Sequence, residues 1–212
     1  MLVCGFGDSI TAGAHITEQE TFLYKLSQKY GTGKLNAGIG GNTSSQGLAR
    51  IESDVLSNKP DICIIAFGMN DHVLTDIDIP QVDRVTFKNN LSKMVNQIKS
   101  IGCVPILCTI SPIIEGDDTQ YYYNRHPESY YQNPTGAQSW IDDYNQIVRN
   151  VAKEYNVFLA DIARHFQFYL NAGGSLFDVL RNLNNVGEDD EYRSLVNSAL
   201  LVDPLTPVTY DG

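Results

Sequence analysis

The sequence predicts an α/β fold built on a parallel sheet, and three features predict it. Short apolar runs alternate with stretches whose apolar residues recur at helical spacing, an order that needs crossover connections between parallel strands. The run Ile62-Cys63-Ile64-Ile65-Ala66-Phe67 is apolar throughout, as expected of a strand covered on both faces. Each of the first three runs ends in glycine-bounded polar residues, which places ligand-binding groups at the carboxyl edge of the sheet. The 212 residues suit one sizeable domain spanning 1–212, with no repeats and no linker.

In chain order, Leu2-Val3-Cys4 opens the first strand and feeds Gly5-Phe6-Gly7-Asp8-Ser9-Ile10-Thr11. Thr17 with Glu20 makes a capping box, predicting a helix from Glu18 that carries Phe22, Leu23 and Leu26 and ends at Gly31 or Gly33. Lys34-Leu35-Asn36-Ala37 is a short second strand, followed by a glycine-rich loop through Gly41. A helix from about Ser45 buries Leu48, Ile51 and Val55 and stops at Asn58-Lys59-Pro60. The third strand, Ile62 to Phe67, ends in Gly68-Met69-Asn70-Asp71. Phe87, Leu91, Met94, Val95 and Ile98 stripe the next helix, and Val104 to Ile110 is the fourth strand. Trp140, Tyr144, Ile147, Val148 and Val151 mark another helix, and Val157 to Ala160 the fifth strand.

Two stretches interrupt the alternation. Residues 113–139 form a long, polar, tyrosine-rich insertion with Tyr121, Tyr122, Tyr123, Tyr130 and Tyr131, and loops of that length usually carry function. Asp161 to Asn197 reads as one or more helices, interrupted at Gly173-Gly174 and by a solvated acidic run from Glu188 to Glu191.

Composition excludes several classes. A hydrophobic content of 42% with 19% charged residues is that of a folded globular chain. A net charge of -10 without a Lys/Arg cluster argues against a nucleic-acid partner. No apolar run is long enough to cross a bilayer, so no membrane partner is expected. Met1 opens no signal-peptide pattern, and an upstream leader or domain could have been removed, since the chain begins in its first strand. Cys4, Cys63, Cys103 and Cys108 fit neither a zinc site nor a disulfide framework and read as small buried thiols.

The polar groups at the three strand ends suit acyl transfer. Taken alone, Gly7-Asp8-Ser9 is also what an ordinary turn looks like. With the two later stretches, Ser9 Oγ can attack a carbonyl. The backbone N–H groups of Ser9 and Gly41 and the Asn70 amide can then donate to the oxyanion. Glycine at 41 lets the backbone approach the substrate.

These stretches resemble the GDSL or SGNH hydrolase family. Gly7-Asp8-Ser9-Ile10-Thr11 is similar to its first block, Asn36 to Thr43 to its second, and Gly68-Met69-Asn70-Asp71 to its third. The run through Ser44, Gln46, Gly47, Leu48, Ala49 and Arg50 is similar to the bacterial thioesterase, arylesterase and lysophospholipase members. The resemblance implies a flavodoxin-like three-layer α/β/α sandwich with a five-stranded parallel sheet. It also implies Ser9 as nucleophile, an oxyanion hole of Ser9, Gly41 and Asn70, and metal-independent chemistry without a cofactor. The family's fourth block, Asp-x-x-His, supplies the base and its orienting acid. The chain ends Thr209-Tyr210-Asp211-Gly212, which resembles only the opening of that block. The expectation is therefore that Asp211 is the orienting acid and that the histidine falls beyond Gly212.

The histidines present are read structurally: His15 in a loop, His126 in the insertion and His165 in a helix, while His72 lines the pocket and is the substitute base among them. Asp8 and Asp71 hold their loops by hydrogen bonds, and Asp61 and Asp161 flank strands. The expected substrate-contacting set is Asp8, His72, Tyr121, Tyr122 and Tyr123. The tyrosines either stack on a sugar or acyl group or pack a lid on its own side chains. The expected activity is hydrolysis of a small ester, with an acetylated carbohydrate first. A thioesterase or lysophospholipase is the alternative within the class, and a catalytically impaired binding domain for carbohydrate or protein the alternative outside it.

Overall fold

The computed structural model describes residues 1–14, 16–113 and 126–174. Strand β1 (Leu2–Gly7) runs into a single helical turn, α1 (Ser9–Ala12), then α2 (Phe22–Tyr30) and β2 (Gly33–Gly38). Next come α3 (Ser44–Asp54), β3 (Ile62–Ala66), β4 (Leu74–Asp76), β5 (Ile79–Pro80), α4 (Arg84–Ser100) and β6 (Val104–Cys108). The series continues with α5 (Ala137–Tyr155), β7 (Phe158–Ala160) and α6 (Ile162–Asn171).

The main sheet has the order β2-β1-β3-β6-β7 with every pairing parallel. That is the flavodoxin-like order, and the chain switches sides of the sheet at the β1–β3 junction, where open α/β folds bind ligands. Alternating side chains divide the strands between two cores. Cys4, Phe6, Cys63, Ile65 and Leu107 pack under α3, α4 and α5, while Val3, Ile62, Ile64, Ile106 and Cys108 pack under α2 and α6. The expected three layers follow from that alternation. The α4 stripe of Phe87, Leu91, Met94, Val95 and Ile98 is wholly inside, each side chain worth about 2 kcal/mol of burial.

Two local features differ from the sequence reading. The Thr17–Glu20 box exists, with the Glu20 carboxylate accepting from Thr17 N at 2.7 Å, but it opens a 3-10 turn, Glu18–Glu20. The α-helix starts afresh at Phe22 because Thr21 caps it, accepting from Tyr24 N at 3.2 Å. The antiparallel β4–β5 hairpin was not foreseen, since Asp71 to Asp83 lacks an alternating pattern long enough to signal strands. Asp78 fastens the hairpin to the end of the insertion by accepting from Gln132 N, Asn133 N and Asn133 Nδ2, each at 2.9 Å.

The ends of β1 and β2 pack against α1 without room for a side chain. A Cβ on Gly38 would lie 2.2 Å from Ala12 N and 2.7 Å from Ala12 Cα, both backbone atoms that cannot rotate away. Gly38→Ala is expected to lose about 3 kcal/mol in urea denaturation. Gly33→Ala, where the new methyl's nearest neighbour is Leu2 Cδ1 at 3.3 Å and the backbone stays at 3.7 Å or beyond, should lose no more than about 1 kcal/mol. Equal losses at the two positions would contradict this packing.

Candidate active site

Because β1, β2 and β3 end level, with Gly7 paired to both Gly38 and Ala66, the turns that follow them meet at one edge. Ser9 is the first residue of α1 and is partly exposed. Buried Asp8 caps that turn, its Oδ1 accepting from Ile10 N at 3.0 Å, which is the loop-holding role expected of it. The second loop passes directly beside Ser9: a Cβ on Gly40 would stand 3.9 Å from Ser9 Cβ, and Ile39 N donates to Gly7 O at 3.1 Å. Gly41 is exposed with φ +76°, a conformation that side chains other than glycine resist. Thr43 then caps α3, with Gln46 closing the box through Oε1 to Thr43 N at 2.8 Å.

The third turn brings Asn70 between the other two. Its amide donates to Asn42 O at 3.0 Å and to Asp8 Oδ2 at 3.4 Å. The first bond is of normal length and fixes the amide plane, whereas the second is long and therefore weak. The Asn70 amide nitrogen is thus tied chiefly to the loop after β2 and only weakly to the serine turn.

Asp71 anchors the same turn to α3. Its carboxylate accepts from Ser44 N at 2.9 and 3.1 Å and from Ser44 Oγ at 2.5 Å, and Asn90 Nδ2 donates to Ser44 Oγ at 2.9 Å. Burial raises Asp71 to about 6 against the lowering effect of the Ser44 bonds. Asp161 behaves oppositely: burial raises it, but Arg149, whose guanidinium donates to both carboxylate oxygens at 2.9 Å, outweighs this and holds it below the usual range.

The remaining candidates separate clearly. His72, read from sequence as lining the pocket, is completely buried, with Nδ1 3.1 Å from Gly68 O and its ring stacked on His126 at 5.1 Å. Its ring is therefore enclosed by His126 and Tyr144, while Asn70 and Asp71 before it in the same turn are buried as well. His126 is also buried, 2.9 Å from Tyr131 Oη, and His165 lies on α6 with its ring against Phe168. Tyr131 is a packing residue: its hydroxyl accepts from Leu74 N at 3.2 Å and its ring meets Trp140. Tyr121, Tyr122, Tyr123, His15, Asp211 and the acidic run from Glu188 to Glu191 lie outside the described residues. Asp61 accepts from Leu2 N at 2.6 Å, a strand-flanking role as expected.

All four cysteines are free and buried, and burial pushes Cys103 and Cys108 up to about 12, so neither is a thiolate nucleophile near neutral pH. Among the described residues no cluster of His, Cys, Asp and Glu is arranged to hold a metal ion. None of the helices described is long and apolar enough to cross a membrane. Arg50 was not singled out from sequence as a site residue, yet its guanidinium reaches from α3 into the junction of the first two turns. The available signal was slight: an arginine next to the buried Ile51, with Asp54 one turn on.

The structure thus presents a parallel α/β sheet with a serine, a glycine loop and an asparagine in the turns at one edge. The sequence model of the GDSL-like Lipase/Acylhydrolase family matches residues 6–181, and the chain belongs to that family. The uncharacterized lipoprotein YqeF of Bacillus subtilis (strain 168) is 35% identical over 173 residues, 77% of this chain and 71% of that protein. An acetylxylan esterase of Geobacillus stearothermophilus is 30% identical over 138 residues, 62% of this chain and 55% of that protein. Among solved structures, a catalytic mutant of the acetylxylan esterase Axe2 from Geobacillus stearothermophilus superposes with a TM-score of 0.70 at 24% identity, covering 97% of this chain and 94% of that one. The lipase/acylhydrolase from Enterococcus faecalis gives 0.68 at 23% identity, covering 94% and 92%. At those identities the superpositions establish the fold.

The raised Asp71 group makes a stability prediction. Its folded value of about 6 exceeds the unfolded 3.8, so the native state binds more protons between those limits and Asp71 destabilises the fold as pH rises through that window. The effect amounts to about 3 kcal/mol. The unfolding free energy of the wild type relative to Asp71→Asn should therefore improve by about that much between pH 7 and pH 3.5. A difference that stays constant with pH would contradict it.

Proposed function

We propose that this acylhydrolase is a serine esterase in which Ser9 Oγ attacks the ester carbonyl. The Ser9 and Gly41 N–H groups and the side-chain amide of Asn70 receive the developing oxyanion. The alcohol leaves, and water then hydrolyses the acyl-enzyme on Ser9. Asp211 is proposed as the acid that orients the general base. The observation carrying this reading is the meeting of three turns at the β1–β3 switch point, with Gly40 against Ser9 and the Asn70 amide spanning Asp8 and Asn42.

A small acyl group is favoured by the space available. A cavity of about 30 Å³ lies against Asp8 and Ile10, the residues flanking Ser9, and is lined mainly by apolar groups including Ala66, Met69, Ile110 and Ile162. A cavity of that size suits a methyl group better than a long chain. It supports an acetyl ester as substrate, and the relatives that are acetylxylan esterases support a carbohydrate as the alcohol.

Ser9→Ala is expected to lower kcat on p-nitrophenyl acetate by about 10⁴-fold or more while leaving the fold intact. The wild type should favour acetate over decanoate by at least about tenfold in kcat/KM. A preference for decanoate would favour a thioesterase or lysophospholipase, and no turnover of any ester would favour a binding domain.

A further inference from the structure

The Arg50 side chain lies where two of the site's turns adjoin. From α3 its Nη2 donates to Gly7 O at 2.9 Å, its Nη1 to Ala37 O at 2.8 Å, and its Nε to Asn42 Oδ1 at 2.9 Å. Asp54, one turn further along α3, accepts from Nη1 at 2.7 Å, and the guanidinium lies 4.9 Å from the centroid of the Phe6 ring. Gly7 precedes the Asp8-Ser9 turn, Ala37 precedes the glycine loop, and Asn42 follows Gly41. Asn42 is also the residue whose backbone oxygen fixes the Asn70 amide at 3.0 Å. A single planar cation thus binds the ends of two strands and, through Asn42, reaches the third turn.

We infer that Arg50 is the positioning residue of the oxyanion hole. It sets the Gly41 N–H and the Asn70 amide relative to Ser9 by clamping Gly7 O, Ala37 O and the Asn42 side chain at once. The inference rests on the reading of Ser9, Gly41 and Asn70 as the esterase site.

The chemistry requires arginine at this position. Only a guanidinium presents donors from Nε and both Nη atoms in one plane, so a lysine of similar reach could satisfy one acceptor and leave the others unmet. The placement also explains how an exposed glycine loop keeps a fixed shape. Gly41 itself has no side chain to anchor, and the loop is held instead at the residue that follows it. Small displacements matter here, because a donor contributes to transition-state stabilisation only near its productive geometry.

The test combines kinetics with a transition-state mimic. Wild type, Ser9→Ala, Arg50→Ala, Arg50→Lys and Asn42→Ala would be assayed on p-nitrophenyl acetate and for inhibition by phenylboronic acid, whose tetrahedral adduct places an oxygen in the oxyanion hole. Active wild type with inactive Ser9→Ala upholds the esterase reading. Arg50→Ala should then lose about 10- to 100-fold in kcat with KM changed less than about twofold, and its boronate inhibition constant should rise by a similar factor. Millimolar guanidinium should restore part of both losses in Arg50→Ala, and Arg50→Lys should resemble the alanine variant.

Asn42→Ala, which keeps every bond from Arg50 to backbone carbonyls, should show a smaller loss in the same direction, and it decides the matter if Arg50→Ala does not fold. Unchanged kcat and boronate affinity in folded Arg50→Ala, or in Asn42→Ala should the former not fold, would overturn the proposal. An inactive wild type, or an active Ser9→Ala, would overturn the esterase reading and the Arg50 role with it.

Discussion

At Gly7 the first strand ends against two neighbours at once, and a Cβ there would lie 2.2 Å from Thr11 Oγ1 and 2.4 Å from Ala66 O. The carbonyl of the same residue accepts from Ile39 N and from Arg50 Nη2. The close approach lets α1 fold back over the end of its own strand, and the carbonyl ties that strand end to the loop after β2. Because β1 lies between β2 and β3, its end sets the level at which all three turns leave the sheet. The serine, the glycine loop and the asparagine owe their proximity to that register before any side chain of the site is considered.

Side-chain bonds then convert proximity into fixed geometry. Asp8 holds the serine turn, Asn42 O holds the Asn70 amide, and the Asp71–Ser44–Asn90 chain holds the asparagine turn to α3 and α4. The last of these places a carboxylate in the interior, where desolvation opposes its charge and the Ser44 donors partly offset the cost. A buried polar link of this kind adds little to stability near neutral pH. Its value lies in specifying one arrangement of the turn, which an apolar contact between the same elements would leave less defined.

Much of this was legible in the sequence. The continuous apolar run of β3 and the stripe Phe87, Leu91, Met94, Val95 and Ile98 named buried elements because periodicity reports burial directly. That the turns carrying Ser9, Gly41 and Asn70 leave the sheet at one edge was legible because each follows a strand and contains a glycine. The full burial of His72 was not legible, because its enclosure comes from His126 and Tyr144, which are distant in the chain. The β4–β5 hairpin escaped because it is held by Asp78 and by the distant Gln132 and Asn133, so its stability is tertiary. Arg50 escaped for a related reason: a helical arginine reads as surface, and only the fold shows that carbonyls from two strands converge on it. Within the insertion, Tyr131 proved to be core, and Tyr121 to Tyr123 lie outside the described residues.

The measurement that tests the account most directly is covalent labelling of the chain with a fluorophosphonate, followed by intact mass and peptide mapping. Such reagents phosphonylate a serine hydroxyl only where an oxyanion site stabilises the attack. A single adduct per chain is expected, located on Ser9 and formed more slowly when Asn70 is replaced by alanine. An adduct on another residue, or labelling of Ser9 that is indifferent to Asn70, would contradict it.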